Sequence, residues 1–459
     1  MALDIRVEDG LPITVEQARD FIQNESNTFG LYFDLDRILE YELLHKKKAK
    51  YHLGIFTKMV GGDIRPTQYE KVRVWFQEYF GIPDRLMLNK AHQIAFDAPV
   101  RQNLLQANID EEAKEFIRNY NLYTLSNKRV SYLKQYLQLP LCYELSTEGH
   151  RMVVAHPQWE ILSTSRLAAN SPSLQNIARD MSDIICCPKG WILVRADSGQ
   201  IEPRITYSHY INDPIIRDLI ILYNDAYFGQ LHYCQLPEDV YQNRNNLRVS
   251  KPGESGNDPN VIYAKEVADE FKEGRKALKV LSLAATYGSG LTGQDPVLAK
   301  RYIDRIVNHP DRKRWEAEVT AQVERGVEVF YSVFGSKITP DETDRYKKYM
   351  STWTSHVVRC GINNPIQTTA SDLMIHSVNR AREILSKARG SHVAFYKHDE
   401  GAFYIHESEK SLVSELEGIT AYNVTENGRP WIPIGSEVEF GQLRNNNVPS
   451  VLEWSEEAC

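Results

Sequence analysis

Asp197 closes the apolar run GWILVRAD at 190–197, and Asp399 sits at the crest of FYKHDEGAFYIH at 395–406, between His398 and Glu400. A carboxylate at the end of an apolar strand loses hydration, and it stays ionised only where a cation compensates it. Two such acids on neighbouring strands repel each other. A pair of divalent ions removes the repulsion and makes a reactive centre, because ions about 3.5 to 4 Å apart clamp the attacking and leaving oxygens of an in-line phosphoryl displacement. Mg²⁺ suits this task, since it takes few protein carboxylates and completes its shell with water and phosphate oxygens. Taken singly, each acid reads equally well as an ordinary strand-end residue, so the neighbouring segments carry the weight.

In RKALKVLSLAATYG (275–288), Arg275, Lys279, Leu283 and Tyr287 recur at a stride of four. Each step rotates about 40° around a helix axis, so the four form one slowly winding stripe. Two cations at one end of it suit a triphosphate, and the apolar and aromatic members suit a base and sugar. An amphipathic helix with a solvated basic end has the same pattern. TSRLAANSPSLQNIA (164–178) adds Arg166 and Gln175 on a loop, and RCGINNPIQ (359–367) adds Arg359, Asn363 and Gln367 at the same stride. Amides and arginines of this kind read minor-groove acceptors common to all base pairs, or else cap and brace a buried network.

The elements that must position these residues are legible in outline. Residues 15–60 read as helix, with the cationic stretch HKKKAKYH at 45–52, either a solvated face or a phosphate-contacting one. A turn at 61 leads into a helix with Val72, Trp75, Phe76 and Phe80 at helical spacing, and 111–137 is mostly helical. Near 150 the texture changes to strands. Residues 244–260 read as an exposed polar loop, 262–285 as helix, and 365–388 as an amphipathic helix with Pro365 in its first turn. Two strand-like runs about a tight charged turn follow at 392–406.

The chain has 459 residues, 42% of them hydrophobic and 10% aromatic, enough for several cores. A formal net charge of −7 gives no global sign of nucleic-acid binding, which a local basic groove would supply instead. The 6 cysteines, with no CxxC pair and no zinc spacing, read as reduced thiols. No apolar run is long enough to span a bilayer and the N-terminus is too polar for a signal peptide, so a soluble cytoplasmic protein is expected.

Taken in order, five segments resemble the family A DNA polymerases, the bacterial DNA polymerase I type. SRLAANSPSLQNI (165–177) is similar to the segment that enters the palm. DSGQIEPR (197–204), RKALKVLSLAATYG and KHDE (397–400) resemble motifs A, B and C, and NNPIQTTASDLM (363–374) resembles the intervening palm helix. The likeness covers roughly 155–410 and extends more loosely to the thumb at 61–83. It implies an α+β right-hand polymerase fold: an antiparallel palm sheet with helical fingers and thumb. The expected parts are thumb and N-terminal helical region at 1–150, palm at 151–210, fingers at 211–340 and the rest of the palm at 341–459.

The resemblance implies template-directed addition of dNTPs to a primer 3′-OH. Asp197, Asp399 and the Ser198 carbonyl would hold two Mg²⁺ ions, with Mn²⁺ able to substitute, and Glu400 would lie beside them as part of the catalytic group. Glu202 would exclude a ribose 2′-OH. Arg275 and Lys279 would bind the triphosphate, with Lys279 as proton donor to pyrophosphate. Gln200, Leu283 and Tyr287 would complete the nucleotide site. Arg166, Gln175, Asn176, Arg359, Asn363, Gln367 and His398 would contact primer–template DNA. Replisome proteins are further expected partners, with no membrane, for a monomer in the cytoplasm, the host's if the source is viral. A single-subunit RNA polymerase and a non-catalytic primer–template-binding subunit are the alternatives.

Three features depart from the family pattern. Leu283 stands where the family has Phe or Tyr, which implies altered exclusion of dideoxynucleotides. The family's histidine ahead of motif B has no clear counterpart, with His232 a candidate. The roughly 150 residues ahead of the palm leave no room for a 3′–5′ exonuclease domain, so no proofreading by this chain is expected.

Overall fold

A computed structural model describes residues 2–89, 93–142, 151–286, 295–340 and 350–441. The first half runs β1 (Leu3–Arg6), α1 (Val15–Phe29), β2 (Leu31–Asp34), α2 (Leu35–Val60), α3 (Tyr69–Tyr79), α4 (Ala98–Gln106) and α5 (Glu111–Tyr136). Short strands follow: β3 (Leu141–Cys142), β4 (Met152–Ala155), β5 (Gln158–Ile161), β6 (Leu167–Asn170), β7 (Ile185–Cys186) and the longer β8 (Trp191–Ser198). Next come α6 (Ile201–Ile205), α7 (Pro214–Tyr223), α8 (Ala226–Cys234), α9 (Glu238–Gln242), β9 (Arg248–Val249), β10 (Val261–Ile262) and α10 (Asp269–Thr286). The remainder is α11 (Pro296–Tyr302), α12 (Pro310–Glu324), β11 (Phe330–Tyr331), β12 (Lys337–Ile338), α13 (Met350–Leu385), β13 (His392–Lys397), β14 (Glu400–His406), α14 (Leu412–Leu416), β15 (Tyr422–Glu426), β16 (Arg429–Pro430) and β17 (Ser436–Gly441).

The chain divides into two compact units. One comprises 1–30, 156–170 and 190–441; the other comprises 31–155, 171–189 and 442–459. The first 30 residues therefore leave the N-terminal helical region to which they were assigned. The reason is pairing: β1 runs parallel to β15, Leu3 opposite Tyr422 through Arg6 opposite Thr425.

The larger unit is built around a four-stranded antiparallel sheet in the order β13-β14-β8-β17. β14 is central and buried on both faces from Gly401 to Ile405, which explains its unbroken apolar run in place of alternation. Two cores flank this sheet in sequence. Leu219, Leu231, Tyr233, Leu278, Leu281 and Tyr302 belong to the core of the helical segment α7–α11. Ile205, Ile366, Leu373, Tyr422 and Trp431 join β1, β15 and α13 in another.

The smaller unit packs α2 against α5 in antiparallel fashion. His45 faces Arg129, His52 Nδ1 donates to Asn119 Oδ1 at 2.8 Å, and Phe56 packs at a tilt against Phe116 and Tyr120. Val72, Phe76, Phe96 and Leu104 close that core.

Three expectations about elements are corrected. Residues 15–60 are not one helix. Gly30 ends α1 with a φ of 74°, a conformation that favours glycine, and the aromatic, apolar LYFD forms β2 between β4 and β7. Asp34 then caps α2 by accepting from the Arg37 amide at 2.9 Å. The helix expected from 262 begins at 269, because Val261 and Ile262 form β10 beside β9. Pro365 lies in the interior of α13 rather than at its start. There Thr369 donates its hydroxyl to the Pro365 carbonyl at 2.7 Å. Among the described residues, no helix is long and apolar enough to cross a membrane.

Candidate active site

The register of the large sheet brings the two acids together. β8 and β14 are antiparallel, with Glu400 directly opposite Asp197 and Gly401 opposite Ala196. One residue earlier, in the turn between β13 and β14, the Ser198 amide donates to the Asp399 carbonyl at 2.8 Å. Main-chain bonds thus hold Asp197, Ser198 and Asp399 at one sheet end. His398 forms the crest of the turn with a φ of 58°, a left-handed conformation that costs a non-glycine residue about 1 kcal/mol or more.

The environments of the two acids differ. Asp197 is exposed, whereas Asp399 is half-buried. Loss of hydration pushes the Asp399 carboxyl above its ordinary range, aided by the charges of Glu202 and Glu400 and opposed by a hydrogen bond from its own backbone amide and by Arg166. Glu400 is gripped by Arg195 on β8, whose Nη2 donates to Oε2 at 3.0 Å and whose Nε donates to Oε1. The Ser198 side chain points away, donating to the Thr420 carbonyl at 3.0 Å. What this residue offers at the strand end is its backbone.

These donors fit a hard divalent cation. They are carboxylate and carbonyl oxygens, and the half-buried Asp399 carries a charge that acidic neighbours make costly. Among the described residues, no three His, Cys, Asp or Glu side chains gather closely enough to hold an ion by themselves. Water and phosphate oxygens would therefore have to complete the shell, as Mg²⁺ prefers.

The helix α10 presents the stripe. Phe271, Leu278 and Leu281 face the core, while Lys279 is exposed and Leu283 is 37% exposed. Arg275 is half-buried and tied to Asp225, with Nε donating to Oδ2 at 2.9 Å. Both cations lie over the ring of Tyr227, the Arg275 guanidinium at 5.5 Å and the Lys279 ammonium at 5.8 Å. Tyr287 lies outside the described residues. A small pocket beside the stripe is lined by Glu202, Tyr227, Leu283 and Arg312 among others.

A third group joins three segments far apart in sequence. Arg166 donates Nη1 to the Gln367 amide oxygen at 3.3 Å and pairs with Glu202 through Nη2. Gln367 is buried on α13, Asn363 is half-buried on the same helix, and Arg359 is exposed. Gln175 and Asn176 fall on a short 3-10 turn (Leu174–Asn176) that belongs to the smaller unit. Gln200, just past β8 with a φ of 57°, donates Nε2 to Asp225 at 2.7 Å.

His232 is a core residue. It is 3% exposed, shares a 3.0 Å hydrogen bond with the Tyr223 hydroxyl, and is driven down to about 3 in pKa by burial. The side chain that meets the two cations is Tyr227. Sequence reading missed Tyr227, Asp225 and Arg195. The one available signal was Asp225 ahead of an apolar helix, the pattern of an N-cap.

No protein-family model matches the chain. It is 28% identical over 253 residues to the mitochondrial DNA polymerase I B of Oryza sativa subsp. japonica, covering 52% of this chain and 24% of that protein. It is 25% identical over 300 residues to the thermostable DNA polymerase I of Thermus filiformis, covering 62% of this chain and 31% of that protein. The chain thus spans about a quarter to just under a third of the length of these curated relatives. Its fold matches the POL domain of Pol1 from M. smegmatis, solved in complex with DNA primer-template and dNTP, with a TM-score of 0.68 at 18% identity. That match covers 93% of this chain and 69% of the other. In sequence the chain is similar to part of these DNA polymerase I proteins, and in fold to the POL domain of Pol1.

Proposed function

We propose that this chain is a template-directed DNA polymerase that extends a primer 3′-OH with dNTPs. The observation that carries the reading is the convergence of Asp197 and Asp399 at one end of the β8–β14 ladder. Two Mg²⁺ ions held there by Asp197, Asp399 and the Ser198 carbonyl would activate the 3′-OH and steady the leaving pyrophosphate, with Mn²⁺ able to replace them.

The chain's own residues supply the rest. Arg275 and Lys279 hold the triphosphate, and the Lys279 ammonium gives its proton to the departing pyrophosphate. Glu202 fills the space a ribose 2′-OH would need, held there by Arg166. Gln200 and Leu283 line the nucleotide, with Leu283 presenting a branched apolar side chain to the sugar, and Tyr287 is assigned to the same site. Arg166, Gln175, Asn176, Arg359, Asn363, Gln367 and His398 are assigned to primer–template contact. Glu400 braces the strand end through Arg195. The palm is assigned to 156–170, 190–210 and 350–441 together with the first 30 residues, the fingers to 211–340, and the thumb to the α2–α5 helices.

Primer extension with Mg²⁺ tests this, run with four dNTPs and then with four rNTPs. Extension with dNTPs alone is expected. Efficient rNTP extension would indicate an RNA polymerase instead, and primer–template binding without extension would indicate an accessory subunit.

A further inference from the structure

Asp225 sits between the strand end that bears the acids and the helix that bears the cations. Its Oδ1 caps α8, accepting from the Tyr227 amide at 2.9 Å and the Phe228 amide at 2.8 Å. Its Oδ2 accepts from Arg275 Nε at 2.9 Å, from Arg275 Nη2 at 2.5 Å and from Gln200 Nε2 at 2.7 Å. Gln200 also takes the Ala226 amide on its own Oε1, so it is fastened to the start of α8 from both ends of its carboxamide. Burial acts to raise the Asp225 carboxyl, but the bonds from Arg275, Phe228 and Gln200 outweigh it and keep the group below the ordinary carboxylate range. This carboxylate stays charged at neutral pH.

The geometry decides what such a pair does to Arg275. A guanidinium has five N–H donors in a rigid fork. Asp225 engages the edge formed by Nε and one Nη2 hydrogen, which leaves both Nη1 hydrogens and the second Nη2 hydrogen unclaimed by this contact. The Tyr227 and Phe228 rings lie at 5.5 and 5.3 Å from the guanidinium carbon and restrict its swing. A side chain that would otherwise sample many rotamers is thus held with its far edge available.

We propose that Asp225 is a positioning residue for nucleotide binding: it holds Arg275, with Gln200, in the orientation that grips the triphosphate before the nucleotide arrives. This rests on the polymerase reading of the site. It adds a residue outside the motifs and predicts preorganisation rather than competition. Were Asp225 instead a latch that the phosphates displace, its removal would tighten nucleotide binding.

Asp225→Asn separates the two roles of the side chain. Asparagine caps a helix as well as aspartate does, but it places an amide donor where Oδ2 now accepts from three N–H groups. The measurement is the affinity of the complementary dNTP for the chain bound to a primer–template whose primer lacks its 3′-OH, so that no chemistry intervenes. Asp225→Asn is expected to weaken binding by about tenfold to a hundredfold, the range for bonds to charged groups. In the Arg275→Ala background the same substitution should change nothing further, because Asp225 acts through Arg275. Equal or tighter dNTP binding by Asp225→Asn would overturn the proposal, as would additive losses in the double variant. If Asp225→Asn does not fold, Gln200→Ala serves in the wild-type and Arg275→Ala backgrounds: a smaller weakening that vanishes without Arg275 is expected, and an unchanged affinity or an equal loss in both backgrounds counts against the proposal. Wild-type extension is scored separately: weaker binding in the variant with no extension by the wild type would sink the polymerase reading and leave this inference standing.

Discussion

The strand-end acids and the helix-borne cations are positioned by different means. Asp197, Ser198 and Asp399 are set by the main chain: the antiparallel register of β8 and β14 and the Ser198–Asp399 amide bond leave their backbones no alternative. Arg275 and Lys279 share a helix face, but the reach of the arginine is set by the side chains of Asp225, Gln200 and Tyr227. A backbone-built site survives loss of its side chains, whereas a side-chain-built site is retuned by any one partner. The acids are therefore expected to show all-or-none chemistry on an intact fold, and the cations graded effects.

The sharpest way to break this contrast is at the acids. Asp399→Asn should lower the extension rate about a hundredfold to a thousandfold, as loss of a central electrostatic stabiliser does, while thermal unfolding and primer–template affinity stay near wild type. A comparable loss of fold would show that the side chain, and not the register, builds the site. At the cations, Lys279→Ala should reduce kcat about a hundredfold, with pyrophosphate departure no longer assisted by a proton. An unchanged kcat with only a raised KM would make Lys279 a binding group alone.

Glu400→Gln probes the border between the two modes. It leaves Arg195, whose side chain is 21% exposed, with only the longer ion pair to Glu439 at 3.8 Å. A loss of about 2 kcal/mol in stability is expected, below the range for fully buried pairs because of that exposure. Extension should fall less than tenfold. A large catalytic loss with unchanged stability would move Glu400 from brace to reacting group. The smallest effect is at Leu283, where Leu283→Tyr should change sensitivity to dideoxy terminators severalfold, the scale of about 1 kcal/mol. Identical sensitivity in both forms would mean that the side chain does not meet the sugar.

How much of this was legible in sequence follows from the same contrast. Asp197 and Asp399 were visible because each ends an apolar run, a local signal of strand and turn. Their adjacency was not, since strand order and register depend on pairings across the whole chain. The stripe on α10 was visible from its stride of four. The partner that orients Arg275 was not, because Asp225 lies in another helix start and only tertiary contact joins them. His232 was drawn in as a candidate by residue type alone, and its burial in the core removed it. The merger of α1, β2 and α2 into one helix failed at Gly30, where a left-handed φ admits a turn that residue periodicity does not register.

The proposed polymerase reaction requires the two strand-end carboxylates to share a pair of divalent ions. The most direct test counts Mn²⁺ bound to the complex of chain, primer–template lacking a 3′-OH and complementary dNTP, by electron paramagnetic resonance. The wild type should bind a pair of coupled ions, and Asp197→Asn with Asp399→Asn should abolish the coupled signal while the DNA remains bound. The same coupled pair in the double variant would contradict it.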